Sequence, residues 1–175
     1  HSTDNAWDEA VYLVLSVTGY TDDKASLQQA VTPADFHRIE ELTNQRIHSR
    51  APLAHLLGEC QFMGQRFLVR PGVMIPRSPI GYLLGEPLAD WVAPDITNIV
   101  DLCAGVGCLG ILAAQRYPRA QVTLVELDAQ AAELARQNVG LHHLAERVHV
   151  VEADACRWLP EQAGRWDLIL TNPPY

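Results

Sequence analysis

The sequence predicts an α/β protein in which a parallel β-sheet is wound with helices and follows a small helical domain. Three observations support this class. From Ile96 onwards, short apolar segments and amphipathic segments alternate as β-α-β-α-β, which is typical of a parallel sheet. A glycine-rich turn joins the first of these strands to the next helix. Before residue 59 the apolar residues recur at helical spacing instead, and a short hairpin pattern separates the two regions.

The first part of the chain, residues 1–58, is predicted to be a helical domain. Three helices are expected, each with a capping residue or a proline at its start, over residues 4–18, 33–49 and 52–58. Either Thr3 or Asp4 is expected to cap the first helix, and Gly19 to end it.

Residues 59–78 are predicted to form a β-hairpin and a linker. The segment from Cys60 to Val69 has the pattern of two short strands around a turn that contains Gly64. Prolines then make the linker rigid, and a helix is expected over residues 79–91.

The third part, residues 79–175, carries the alternating pattern. Strands are predicted over residues 99–102, 121–126, 148–152 and 166–170, and helices over residues 107–117 and 129–141. The last strand is expected to be buried, because its residues form a nearly continuous apolar run. A doubly wound sheet usually has about six strands, so we expect this sheet to end early and the chain to be the front part of a longer protein.

Composition narrows the class of protein. The 175 residues are 48% hydrophobic and 19% charged, which fits a globular protein, and no apolar run reaches the ~20 residues that span a bilayer. The net charge of −8 argues against direct binding to nucleic acid. The chain has four cysteines, Cys60, Cys103, Cys108 and Cys156, and they form no Cys-x-x-Cys pair or metal-ligand pattern. This predicts free, buried thiols, no bound metal and a reducing cytoplasmic location.

A glycine-rich turn follows the first strand of the sheet. Gly105, Gly107 and Gly110 match the pattern G-x-G-x-x-G at the start of a helix. Glu126 lies 21 residues beyond Gly105, at the end of the next strand, where its carboxylate can accept both hydroxyls of a ribose. These features predict an adenosine-containing cofactor. The alternative is a tight strand-to-helix turn that binds no ligand.

Two further acids indicate which cofactor. Asp101 directly precedes the turn and would repel a pyrophosphate, but it would favour an ammonium or sulfonium group. This favours S-adenosylmethionine over a dinucleotide. Asp154, after the third strand, is a second acid near the expected adenine, with helix capping as its alternative role.

The chain ends in Asn172-Pro173-Pro174-Tyr175, directly after the fourth strand. Prolines donate no hydrogen bond to a sheet, so the strand must end there, and their carbonyls stay available as acceptors. The Asn172 side-chain oxygen and the Pro173 carbonyl are predicted to accept the two N–H groups of a planar amide or amine, while Tyr175 packs on its plane. Asn172, Pro173 and Tyr175 are therefore the candidate catalytic residues.

These motifs together resemble the class I methyltransferases that modify a planar nitrogen. The helical domain, the hairpin and Ile75-Pro76-Arg77 resemble, more narrowly, the HemK family of protein glutamine methyltransferases. Release-factor enzymes of that family typically have Pro-Arg-Pro-Asp-Thr-Glu at the linker. Here the linker reads Pro76-Arg77-Ser78-Pro79-Ile80-Gly81, which, with Trp7-Asp8-Glu9-Ala10, resembles the branch acting on a glutamine of the third protein of the large ribosomal subunit.

The resemblance implies the fold, cofactor and partner. The fold would be a class I methyltransferase Rossmann-like sheet that ends here after its fourth strand. The cofactor would be S-adenosylmethionine, bound by Asp101, Cys103, Ala104, Gly105, Val106, Gly107, Glu126, Asp154, Ala155 and Asn172. The substrate would be a ribosomal protein, contacted by Asn172, Pro173, Pro174 and Tyr175 and recognised partly by the helical domain. Hydroxyl residues are usual in the family where Ala104 and Val106 stand, so no side-chain hydrogen bond is expected there. Arg77 fits either a linker salt bridge or a contact on the cofactor side.

Other functions remain open at this point. A glutamine of a release factor is one alternative substrate, and the adenine amino group of DNA or RNA is another, because it is also a planar NH2 group. A third alternative is a protein that keeps the fold for binding only, but Gly105, Gly107, Glu126 and Asn172 are all present and argue against it. A nicotinamide-dependent dehydrogenase would leave Asp101 and the proline motif unexplained.

Overall fold

The structure is a computed structural model, and it describes residues 5–85, 92–93, 95–162 and 164–174. The chain divides into two compact units, His1–Gly58 and Glu59–Tyr175. None of the described helices is long and apolar enough to cross a membrane.

The first unit is helical. Its helices are α1 (Ala6–Thr18), α2 (Pro33–Ser49) and α3 (Leu53–Leu57), with a short 3-10 turn at Ser26–Gln28. Each helix contributes one buried leucine to a common core, namely Leu13, Leu42 and Leu53. An ion pair of 2.9 Å between Arg46 and Glu9 also joins α2 to α1. The three predicted helices are therefore confirmed.

The start of α1 differs from the prediction. The helix begins at Ala6, and Asn5 is its cap, because the Asn5 side-chain oxygen accepts a hydrogen bond from the Trp7 N–H at 3.0 Å. Thr3 and Asp4, the predicted caps, lie outside the described residues and precede the capping position. Gly19 ends the helix as expected, in the left-handed conformation at φ 70°.

The second unit opens with a β-hairpin of β1 (Glu59–Phe62) and β2 (Gln65–Leu68). Phe62 lies opposite Gln65, so the loop has only two residues, Met63 and Gly64. Both are left-handed, at φ 51° and 73°, as a type I′ turn requires. The hairpin is confirmed, but Met63 belongs to the turn and not to a strand.

Helix α4 (Ile80–Leu83) is shorter than the predicted helix over residues 79–91. It ends in a turn at Leu84 and Gly85, and residues 86–91 lie outside the described residues. Glycines at positions 81 and 85 account for the short helix, because each lowers helix propensity by about 1 kcal/mol relative to alanine.

The sheet has four described strands, which are all parallel. They are β3 (Asn98–Leu102), β4 (Gln121–Glu126), β5 (Val148–Glu152) and β6 (Leu168–Thr171), in the spatial order β5-β4-β3-β6. Helix α5 (Cys108–Arg116) joins β3 to β4, and α6 (Ala129–Leu141) joins β4 to β5. Helix α7 (Ala155–Trp158) and a 3-10 turn at Leu159–Gln162 lead to β6. The predicted α/β fold is therefore confirmed.

Strand β3 lies between β4 and β6, so the order of the strands in the sheet reverses direction at β3. The chain moves outward from β3 to β4 and β5, and then returns to place β6 on the other side of β3. Such a reversal leaves a crevice at the carboxyl ends of the strands, where ligands bind in open α/β sheets.

The last strand differs from the prediction of a buried strand. Leu170 is buried, but Ile169 is 50% exposed, because β6 is the edge strand of the described sheet. It also begins at Leu168 and not at Trp166. Asp167, just before it, accepts hydrogen bonds from the N–H groups of Thr97 and Asn98 at 2.7 and 2.9 Å, which aligns β6 with the start of β3.

Candidate functional site

A cavity of about 590 Å³ lies at the carboxyl ends of the strands. This volume is within the ~300–1,000 Å³ of small-molecule sites. Its walls are the segment 72–78, the turn after β3, the ends of β4 and β5, and two residues after β6, Asn172 and Pro174. The cavity therefore joins the glycine-rich turn and the proline motif, which are far apart in the sequence.

The structure brings most of the predicted site residues to this cavity. Those that line it are Asp101, Cys103, Ala104, Gly105, Val106, Glu126, Asp154, Ala155, Asn172 and Pro174. Gly107 and Pro173 are not among the lining residues, and Tyr175 lies outside the described residues. The cavity therefore contains most of the residues predicted to bind the cofactor, together with two of those predicted to contact the substrate.

Two glycines allow α5 to begin close to the sheet. Gly107 caps the helix at φ 83°, and a Cβ atom there would lie 2.8 Å from Leu124 Cδ1. A Cβ atom on Gly110 would lie 2.1 Å from Leu124 Cδ2. Gly107 therefore has a packing role, since the glycine is needed for the approach of the turn to β4, and its predicted contact with the cofactor stays a prediction.

Asp101 is the most unusual group in the cavity. It is only 1% exposed, and its Oδ2 accepts a hydrogen bond from the Gly110 N–H at 2.8 Å. Its Oδ1 is buried and has no hydrogen-bond partner within the described part of the chain. Burial raises the pKa of Asp101 to about 7, the nearby charge of Glu126 adds to the rise, and the Gly110 hydrogen bond opposes it. A cationic ligand group beside Oδ1 would relieve this unfavourable environment.

Glu126 is held by backbone amides. Its Oε2 accepts from the Gly105 N–H at 2.7 Å, and its Oε1 accepts from the N–H groups of Leu127 and Asp128, both at 2.9 Å. The side chain therefore ties the glycine-rich turn to the end of β4. Each carboxylate oxygen has about two acceptor positions, so Oε2 retains one that a hydroxyl can use.

Asp154 caps α7. Its Oδ1 accepts from the Cys156 N–H at 2.9 Å, and its Oδ2 lies 3.7 Å from Arg157 Nε. The capping alternative from the sequence is therefore present in the structure. Asp154 nevertheless lines the cavity, so capping and ligand contact are compatible.

The proline motif begins where β6 ends, at Thr171. Asn172 is half-buried and lines the cavity, while Pro173 and Pro174 are exposed. Across residues 5–85, 92–93, 95–162 and 164–174, nothing hydrogen-bonds to the Asn172 side chain or to the Pro173 carbonyl. Both acceptors therefore have no partner in the part of the chain that the structure describes.

Apart from the cofactor-side contact offered for Arg77, sequence reasoning did not predict the wall formed by the segment 72–78. The segment follows the hairpin and includes Met74 and Arg77, both exposed at the cavity. Within the described residues Arg77 has no ion-pair partner, and both of its predicted roles stay predictions. The two prolines of the linker predict a rigid segment, but they do not predict which part of the fold that segment packs against.

The cysteines are all free thiols and lie in the described part of the chain. Cys60 and Cys108 are buried, as predicted, but Cys156 is exposed. Cys103 is half-buried in the glycine-rich turn, where its left-handed backbone, at φ 57°, is rare for a side chain with a Cβ atom.

A parallel sheet with a glycine-rich turn, acids at its strand ends and a proline motif beside them defines a class I methyltransferase domain. Residues 86–175 match the family model of the methyltransferase small domain, and the chain belongs to that family.

Two solved structures share this fold over about two thirds of the chain. A protein of Escherichia coli described as a methyltransferase is 26% identical, with a TM-score of 0.53, over 67% of this chain and 66% of that one. A protein of Thermus thermophilus is also 26% identical, with a TM-score of 0.54, over 64% of each chain.

Two curated relatives match the whole chain. Both are named ribosomal protein uL3 glutamine methyltransferase. The one from Bordetella pertussis is 41% identical, and the chain covers 59% of its length. The one from Francisella tularensis is 35% identical, and the chain covers 56% of its length. The predicted resemblance to protein glutamine methyltransferases is confirmed, and the chain spans a little over half the length of these relatives.

Proposed function

We propose that this protein transfers a methyl group from S-adenosylmethionine to the side-chain amide nitrogen of a glutamine in ribosomal protein uL3. One observation carries the proposal. A single cavity contains the acidic set of Asp101, Glu126 and Asp154 and, after β6, the acceptor of Asn172. The names of the two relatives that match the whole chain supply the substrate.

The residues of the cavity fit S-adenosylmethionine. Asp101 offers a buried carboxylate oxygen without a partner in the described chain, which suits a cation. Glu126 and Asp154 offer oxygens to the hydroxyl and amino groups of an adenosine. When bound, this cofactor supplies a methyl group on a positively charged sulfonium, which makes the methyl carbon an electrophile.

The chain's own contribution to the reaction is to position a weak nucleophile. The nitrogen of a carboxamide is a weak nucleophile because its lone pair is delocalised into the carbonyl. Asn172 Oδ1 and the Pro173 carbonyl each accept one N–H of the glutamine amide and thereby fix the direction of that nitrogen. Since Pro173 and Pro174 have restricted backbones, this geometry is largely set before the substrate binds.

The same two acceptors favour the transition state. As the nitrogen forms its new bond to carbon it becomes positive, and the two oxygen dipoles stabilise that charge more than they stabilise the neutral amide. The alkylated amide nitrogen is strongly acidic and passes its proton to water, so no strong general base is required. Tyr175 is proposed to pack on the amide plane.

The helical unit is proposed to take part in recognising the protein substrate. Its helices carry large apolar side chains that are mostly exposed in this chain, namely Trp7 (73%), Phe36 (63%) and Ile47 (64%). Side chains of this kind contribute strongly to protein interfaces. A ribosomal substrate also supports a cytoplasmic location for the protein.

The test is direct labelling. The full chain is incubated with methyl-labelled S-adenosylmethionine in four separate reactions, which contain uL3, a release factor, DNA or RNA. We expect label only on uL3, and mass spectrometry of its peptides should place one methyl group on a single glutamine. Label on nucleic acid and none on protein would overturn the proposal, and label on the release factor alone would overturn the choice of substrate.

A further inference from the structure

We propose that Asn138 is a positioning residue for the cofactor cavity, an inference that rests on the proposed function. Asn138 lies in α6, has no exposed surface and does not line the cavity. Its side-chain amide nevertheless binds two segments that lead to the cavity walls. Those segments are the glycine-rich turn and the end of the hairpin.

The Asn138 amide makes three hydrogen bonds. Its Oδ1 accepts from the Leu68 N–H at 2.7 Å, and its Nδ2 donates to the Leu68 carbonyl at 3.1 Å. The second N–H of the same nitrogen donates to the Val106 carbonyl at 2.9 Å. Both donors of the amide are thus used, and no other side chain of this size offers one acceptor and two donors.

The bond to Val106 acts on the glycine-rich turn. Val106 lines the cavity, and its carbonyl belongs to the peptide that connects it to Gly107. Fixing that carbonyl fixes the plane of the peptide between them. The turn needs such support because Cys103, Gly105 and Gly107 are all left-handed, and Cys103 is strained in that region.

The bonds to Leu68 act on the opposite side of the same side chain. Leu68 is the last residue of β2, and the wall segment 72–78 begins four residues later. Two neighbours of Asn138, Gln137 in α6 and His142 directly after it, bind residues in and just after β2. His142 Nε2 donates to the Arg66 carbonyl at 2.9 Å, and Gln137 Oε1 accepts from Arg70 at 3.2 Å. Side chains from this part of the chain therefore bind backbone groups of β2 at Arg66 and Leu68.

A shorter side chain at position 138 would leave the Val106 carbonyl and the Leu68 peptide without these partners. The glycine-rich turn would then sample more conformations, and cofactor binding would have to order it. Cofactor affinity should fall, while turnover at saturating cofactor should stay nearly unchanged, because Asn138 touches no reacting atom.

The matched control is Arg147. Its guanidinium also binds three backbone carbonyls of the second unit, those of Ala114, Tyr117 and Ala120, but it does not line the cavity or contact its walls. Arg147→Met therefore removes a comparable set of hydrogen bonds and should lower the stability of the fold without changing the glycine-rich turn.

The experiment is calorimetric titration of the full chain with S-adenosylhomocysteine, below the unfolding temperature of each variant. We expect Asn138→Ser to raise the Kd about tenfold, the effect of losing one or two net hydrogen bonds. In the methyl-transfer assay at saturating cofactor, its kcat should stay within about twofold of the unaltered chain. Arg147→Met should leave the Kd within about twofold. An Asn138→Ser Kd that matches the unaltered chain would overturn the inference.

A second measurement needs no variant. Hydrogen exchange of the unaltered chain should show slower exchange of the Leu68 N–H when S-adenosylhomocysteine binds, although Leu68 does not line the cavity. Unchanged exchange at Leu68 despite binding would overturn the positioning role alone. Failure of the unaltered chain to bind S-adenosylhomocysteine would overturn the proposed function together with it.

Discussion

The pKa of Asp101 leads to a prediction about stability and pH. Its carboxylate is buried, and its pKa rises from 3.8 to about 7. The folded chain therefore holds a proton between these two pH values that the unfolded chain has lost. By linkage, the contribution of Asp101 to the free energy of unfolding is highest below pH 4, falls as the pH rises to about 7, and is then constant. At 1.36 kcal/mol per unit of pKa, the loss is at most about 4 kcal/mol.

Asp101→Asn tests this reasoning. The amide keeps an acceptor for the Gly110 N–H but has no charge to bury. Urea denaturation of both proteins from pH 5 to pH 8 measures the free energy of unfolding. The unaltered chain should lose stability relative to the variant as the pH rises, and the difference should level off above about pH 7. Parallel pH curves for the two proteins would refute the argument.

The same group links cofactor binding to protons. A cation beside the Asp101 carboxylate favours its charged form and lowers its pKa, so binding of S-adenosylmethionine near pH 7 should release up to about half a proton per chain. Calorimetry in two buffers of different ionisation enthalpy measures that proton. Asp101→Asn should abolish the buffer dependence, and a release of equal size in both proteins would assign the proton to another group.

Three further changes test the site and the fold. Asn172→Ala should lower turnover at saturating cofactor about 10²–10³-fold, as for the loss of one oriented polar group at a transition state, and full turnover in a methyl-transfer assay would contradict the proposed role. Gly110→Ala places a Cβ atom 2.1 Å from Leu124 Cδ2 and should cost about 1–3 kcal/mol in urea denaturation. Its control is Gly140→Ala in α6, where no atom lies within 4 Å of the new Cβ, and which should instead stabilise by up to about 1 kcal/mol. Asn5→Ala removes the cap of α1 and should cost about 1 kcal/mol, measured by thermal unfolding, whereas an unchanged unfolding temperature would show that the cap adds no stability.

Several elements could be predicted to the residue, because their signals are local. Strand β4, helix α6 and strand β5 begin and end where the apolar period changes, and Asp128 caps α6 through the N–H of Ala131 at 2.8 Å. The errors have local causes too. The two-residue turn at Met63 and Gly64 moved the strands of the hairpin by one residue, and close glycines shortened α4.

The residue types and their order along the chain were enough to predict the parallel sheet and to place the acids at one edge of it, because the carboxyl ends of parallel strands meet there. The side-chain contacts at that edge depended on the tertiary structure. The partners of Asp101 and Glu126, the wall at residues 72–78 and the bond from Asn138 to Leu68, 70 residues away, all follow from distances set when distant segments pack. Periodicity records which face of an element is apolar, but it does not record which atoms meet across the fold.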